Sequence, residues 1–206
     1  NGSIRDLTIT PLKHSTLAIS YYAATLISTL LICFAATGIC LAYVACTGWY
    51  MAASDVISLL LDVVLLVMFG TALSSIINFF LGTQGQMSAV GTIISSGYGF
   101  ICGAYMPISQ FADGLQKAIS FLPGTYGTSL VRNHTMRGVF KELAEQGCPD
   151  EVIEAIKDSV DCNLYFFDNQ VPTETMYLIL GSAVAVLIFI YIMMHAVKSR
   201  KAKLHR

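Results

Sequence analysis

The sequence predicts an all-α integral membrane protein: four transmembrane helices, short external re-entrant or interfacial helices, and a small helical external loop. Three observations carry that expectation. Of 206 residues, 55% are hydrophobic and only 12% are charged, and the mean hydropathy of +0.65 is far above that of a soluble domain of this size. The apolar residues gather into four runs, each matching or exceeding the ~20 residues a helix needs to cross the ~30 Å hydrocarbon core of a bilayer. Charge is segregated along the chain, with nine of the thirteen acids between Glu142 and Glu174 and five of the twelve bases in the last nine residues.

Residues 1–14 are polar and contain the helix-stopping pair Thr10-Pro11, which makes them a short segment outside the membrane. A first apolar run extends from Ser15 to about Cys46, and a turn over Thr47 to Ser54 holds Trp49 and Tyr50, aromatics of the kind that anchor helix ends at headgroup depth. The second run, Asp55 to Leu81, contains Asp62 and Asn78; the uncharged turn GTQGQ leads to the third, Met87 to Met106. That third run sets Gly91, Ser95, Gly99 and Gly103 at successive i+4 positions, a stripe of small residues over which another backbone can approach closely. These three runs make residues 15–106 a transmembrane region.

From Pro107 the pattern changes. Ile108, Phe111, Leu115, Ile119 and Leu122 mark an amphipathic helix stopped by Pro123-Gly124. Such a helix rises only ~22 Å, too little to cross, so residues 107–137, including a second short segment from Thr125 to Val131, are expected to dip into or lie on the outer leaflet. Residues 138–174 form an acidic extracytoplasmic loop. Within it Pro149-Asp150-Glu151 begins a helix with acids at its positive end, and Val152, Ile153, Ile156 and Val160 are assigned to one apolar face. The fourth run occupies 175–197, and a basic tail follows over 198–206. Four crossings put both ends on one side, which Lys198, Arg200, Lys201, Lys203 and Arg206 assign to the cytoplasm, with Arg5 and Lys13 in agreement.

Several function classes are not expected. There is no GxxxxGK[ST] phosphate loop, no HExxH and no membrane-depth His or Glu cluster, so the chain carries no catalytic residue or metal site of its own, and no nucleic-acid partner is implied. Cys33, Cys40, Cys46 and Cys102 read as small buried hydrophobes. Cys148 and Cys162 share the acidic loop and either pair as a disulfide or remain free thiols.

The stretch FICGAYMPISQFADGLQKAISFLPGTYGTSLVR, Phe100 to Arg132, resembles the permease subunits of ABC-2 type ATP-binding-cassette transporters in its small residues, Pro, short helix, Leu-Pro, Thr-Tyr and Arg. IRDLTITPLKHSTLAISYY, Ile4 to Tyr22, is similar to the end of the family's cytoplasmic loop and the start of its third helix. The resemblance implies that the four runs are the family's third to sixth helices, with the first two absent from a chain that looks like the C-terminal part of something longer. It implies external re-entrant helices carrying Pro107, Phe111, Leu115, Pro123, Tyr126 and Arg132. Ile4, Arg5, Asp6, Leu7, Thr10 and Pro11 would form the tail of the coupling helix that docks on an ATP-binding subunit. ATP and Mg would be held by that partner, and a second permease copy, identical or not, would complete a bacterial exporter in the cytoplasmic membrane. Its substrate would be drug-like, lipid or polysaccharide in class, moved by alternating access. A secondary transporter and a non-transporting scaffold or sensor are the alternatives, although no inverted repeat or broken midplane helix is evident.

Asp62 is the one acid well inside an apolar run, where an ionisable group is expensive enough to suggest function. It lies two turns from Asp55 on the same helix face, so a hydrated position or a pairing with another helix stands beside substrate contact. Asn78 reads as a helix-helix hydrogen bond or a ligand contact. Arg132, His134 and Arg137 read as interface anchors or as an attraction for an anionic headgroup or substrate. Asn133-His134-Thr135 fits a glycosylation sequon, which matters only in a secretory pathway.

Overall fold

The structure is a computed structural model that describes residues 14–167 and 169–204. Long helices dominate: α1 His14–Thr47, α2 Ala53–Phe79, α3 Gln84–Ile101, α4 Asp113–Ile119, α5 Pro123–Glu145, α6 Asp150–Ser159 and α7 Thr173–Leu204. A 3₁₀ turn, Ile108–Gln110, precedes α4, and a two-stranded hairpin, β1 Tyr165–Phe166 with β2 Asn169–Gln170, precedes α7. The coupling-tail residues Ile4 to Pro11 lie outside the described residues, as do the last residues of the basic tail.

Three helices are long and apolar enough to cross a bilayer, with spans over Ile19–Thr47, Ala53–Phe79 and Thr173–Val197. The third expected crossing, α3, does not meet the same standard. Its 18 residues begin with Gln84 and Gln86 and are diluted by Gly, Ser and Thr. Its start is well defined, because the Gln86 N–H donates to Thr83 Oγ1 at 3.3 Å and the Thr83 N–H donates to Gln86 Oε1 at 3.3 Å, a reciprocal capping box. All-α membrane architecture therefore holds.

The core forms where α2, α5 and α7 pack together, with α1 laid against α2 and α7. On α7 the buried residues Met176, Leu180, Val184 and Tyr191 recur at helical spacing. Met176, Leu180 and Val184 meet Phe69 of α2, Tyr126 and Leu130 of α5, Ile108 and Ile119 of the connection, and Leu164 and Val171 flanking the hairpin, while Tyr191 lies against Tyr22 of α1. A satellite cluster outside this core joins α6 to α5 through Phe140, Ile153 and Cys162, with Ile156 and Val160 against them. Val152 is off that face and exposed.

The connection after α3 departs from its expected form in three ways. The amphipathic helix is two pieces, because Phe111 is extended (φ −85°, ψ 158°) between the 3₁₀ turn and α4. The segment beginning at Thr125 is no short piece: Pro123 at the first helical position starts α5, which runs 23 residues through Gly138 before Gly147 (φ +84°) closes it. Third, the expected stripe is not a packed surface. Gly103 lies beyond α3 with φ +78°, Gly91 has open space around it, and at Gly99 the only near neighbour is the ring of Tyr105. No residue of α3 is buried.

Close approach happens on α5 instead. A Cβ at Gly127 would fall 2.3 Å from Leu66 Cδ2, and one at Gly138 would fall 1.8 Å from the carbonyl oxygen of Tyr50. The two obstacles differ, since the end of Leu66 can turn aside and the Tyr50 backbone cannot. Gly138→Ala should therefore lower stability by about 2 kcal/mol or more, some 5 °C in Tm for a chain of this size, and Gly127→Ala by clearly less. Thermal unfolding of the two purified variants in detergent checks the order, and equal Tm values would refute it.

Candidate functional site: a buried polar seam

Asp55 and Asp62 lie seven residues apart on α2, two turns, and so point the same way. The face they meet is α5, where His134 and Arg137 are three residues apart. His134 Nδ1 stands 2.6 Å from Asp62 Oδ2, and Tyr177 of α7 donates its hydroxyl to Asp62 Oδ1 at 2.6 Å. Three helices thus converge on one carboxylate. Asp62 has 0% exposed surface and His134 has 4%, so no water offsets the loss of either partner.

Asp55 stands at the membrane-boundary end of the seam and does two jobs. Its Oδ2 accepts the Ala52 N–H at 3.1 Å, closing the first turn of α2 at the positive end of the helix dipole, and its Oδ1 lies 3.4 Å from Arg137. A third pair binds the loop between α6 and β1. Arg132 is 2.9 Å from Asp161, and the same guanidinium donates to the Gly103 carbonyl. Asp161 also accepts the backbone N–H groups of Ile108 and of Ser109, the latter at 3.0 Å. Its own carbonyl takes the Ser129 hydroxyl at 2.9 Å. Asp161 holds φ +54°, a left-handed conformation that aspartate tolerates better than most residues. One side chain thereby ties the loop, the 3₁₀ turn and α5 together.

Arg132, His134 and Arg137 of α5 each face a buried acid. They are held by those acids and are not free anchors. Asp62 is paired with other helices, one through each carboxylate oxygen, and has no exposed surface. Asn78 donates to Ser74 of its own helix at 3.3 Å. It borders a groove of about 490 Å³ between α1 and α2 with Thr25, Thr29, Thr71, Ser74 and Ser75. In the connection, Phe111 packs on the core, Leu115 is exposed, and Pro123 heads α5. Tyr126 is buried and donates to the Ser120 carbonyl at 2.6 Å. Ser95 donates only to Thr92 of α3.

Cys148 and Cys162 are free thiols on the same satellite cluster. Burial pushes the Cys162 thiol up to about 11, leaving little thiolate for exchange.

The sequence reading missed Tyr177, the role of His134 and the acids facing Arg132 and Arg137. One signal was present: the seven-residue spacing of Asp55 and Asp62 needs two positive or donor groups on a facing helix, and His134 with Arg137 supplies them at three-residue spacing.

A multi-pass all-α protein in which a polar helix is ion-paired onto apolar spanning helices belongs to the class of membrane transport and scaffold proteins. Its family is narrower than that. Residues 1–191 match the family described as ABC-2 family transporter protein, and the chain belongs to that family as a membrane permease of ABC transporters. No curated protein and no solved structure matches it significantly.

Removing the carboxylate leaves a buried imidazole and a phenol without their acceptor. Asp62→Ala should cost about 3–5 kcal/mol, while Tyr177→Phe, which leaves one donor in place, should cost about 1–2 kcal/mol. Thermal unfolding compares them. Transport by Asp62→Asn should fall equally for charged and neutral substrates, because Asp62 does not reach the solvent; a loss confined to cations would show substrate contact.

Proposed function

We propose that this chain is the permease subunit of an ATP-driven exporter in a bacterial cytoplasmic membrane. It works with a second permease copy and with ATPase subunits that hold ATP and Mg, and it performs no catalysis itself. On this reading α1, α2, α3 and α7 all cross the membrane, both chain ends are cytoplasmic, and residues 107–137 re-enter the outer leaflet.

The observation that carries the reading is the depth at which α5 begins. Gly127 lies against Leu66, and Tyr98 of α3 reaches both Phe69 and the backbone of Gly124. Leu66 is thirteen residues into α2, about 20 Å of helix rise from Ala53. From there α5 runs antiparallel to α2 and leaves past Tyr50 at Gly138. A connection that starts beside the middle of a spanning helix and exits at its end is what a re-entrant element requires. Its polar groups are tolerable there because protein encloses them.

The seam also suits alternating access. α2, α5 and α7 are fastened by Asp62, so they move as a unit, and α1 contacts that unit through the Tyr22 hydroxyl on the Met68 carbonyl at 3.3 Å. α1 follows directly on the segment Ile4 to Pro11, where Ile4 and Leu7 would anchor an ATPase subunit and Arg5 and Asp6 would add polar contacts. Movement of that segment is then delivered to the unit as a rigid-body displacement. The groove between α1 and α2 is lined by hydroxyls and an amide without charge, which favours an uncharged, hydrogen-bonding amphiphile over an ionic cargo.

In proteoliposomes of the complete exporter, fluorescent amphiphiles should accumulate only with ATP and the ATPase subunit, and collapsing ion gradients with ionophores should change nothing. Leu7→Glu should abolish substrate-stimulated hydrolysis while leaving membrane insertion intact, because it places a charge in an apolar contact. Transport driven by an imposed ion gradient in the absence of ATP would favour a secondary transporter instead.

A further inference from the structure

Beyond transport itself, we propose that the cavity between α5 and α6 binds the phosphate headgroup of a membrane phospholipid whose head carries a hydroxyl or ammonium donor. The cavity measures about 320 Å³ and presents Arg137, Lys141 and Lys157 with Asp150 and Glu154 around its rim, over Phe140 and Ile153. Both apolar residues are buried, so the pocket has a closed floor.

Its depth is fixed by the backbone. Gly138 abuts Tyr50, which puts the turn from Arg137 to Lys141 at the end of α2 beside the exposed aromatics Trp49 and Tyr50. Aromatics in that position sit at the level of lipid headgroups.

The charges divide by role. Lys157 is engaged with Glu154 at 2.7 Å and lies 5.6 Å from the centre of the Phe140 ring, so it forms a wall. Arg137 uses one nitrogen on Asp55, and its side chain remains 44% exposed; a guanidinium has further donors to give. Among the described residues Lys141 makes no ion pair. Arg137 and Lys141, one turn apart on α5, therefore offer charge-assisted hydrogen bonds to a phosphate diester. Glu154 is held by Lys157 and Asn163, so Asp150 on the α6 wall is the acceptor for a glycerol hydroxyl or an ethanolamine ammonium. Choline has no N–H or O–H to give it. The site is independent of the transported substrate and of the direction of transport.

The test is native mass spectrometry of the full chain released from detergent in the presence of phosphatidylglycerol, phosphatidylethanolamine or phosphatidylcholine, with glycerol phosphate as the soluble arm. Phosphatidylglycerol and phosphatidylethanolamine should be retained and phosphatidylcholine should not. Lys141→Gln, at an exposed position, should weaken retention about tenfold, the equivalent of one lost hydrogen bond to a charged group. Retention of all three lipids alike, or equal retention by wild type and Lys141→Gln, would overturn the proposal. Glycerol phosphate binding as tightly as the lipids would also overturn it, by assigning the pocket to a soluble anion. Should Lys141→Gln unfold, Asp150→Asn provides the second reading, with selective loss of phosphatidylethanolamine expected and no change contradicting the site.

Discussion

Asp62 is the point on which the rest of the packing depends, because its carboxylate joins three long helices at once, with His134 Nδ1 at 2.6 Å and the Tyr177 hydroxyl at 2.6 Å. Inside a bilayer apolar side chains gain little by leaving lipid for one another, so helix association rests on close packing and on polar contacts. At 23 residues α5 is long enough to cross, but it lacks the apolarity to insert alone. It carries Arg132, His134 and Arg137, and each would be prohibitive beside lipid tails without the acid that faces it. The seam thus holds a polar helix against the apolar helices α2 and α7. The same polar groups make the arrangement specific, since a register slip of one turn would leave a charge uncompensated.

Two of the three glycines of α5 and its pairings with Asp55, Asp62 and Asp161 serve one end. Gly127 and Gly138 let the backbones come near enough for short side chains to meet, and the pairs then hold them there. Arg132 extends the same logic outward, joining α5 to the loop and to the 3₁₀ turn through Asp161. The same network therefore links α2 and α7 to the connection that follows α3.

Much of the fold was legible because apolar runs as long as those of α1, α2 and α7 have few other interpretations. Asp62 stood out on the cost of a buried charge, and the start of α6 at Pro149-Asp150-Glu151 followed from helix chemistry. α5 was not legible as a 23-residue helix, because Arg132, His134 and Arg137 look like the end of a membrane segment when their partners are unknown. Those partners lie up to 82 residues away in sequence, and local pattern carries no record of them. The stripe of Gly91, Ser95, Gly99 and Gly103 misled for a related reason. Small residues permit close approach without causing it, and the neighbour that uses a glycine is chosen by the tertiary fold, as Tyr50 shows at Gly138.

The central claim, that a direct interaction between α2 and α5 at Asp62 holds the polar helix in place, is tested most directly by a double-mutant cycle. Thermal unfolding of the wild type, Asp62→Ala, His134→Ala and the double variant isolates the pairwise energy. The account predicts a coupling of about 2 kcal/mol or more, with the double variant no less stable than Asp62→Ala alone. Additive losses in the two single variants would contradict it.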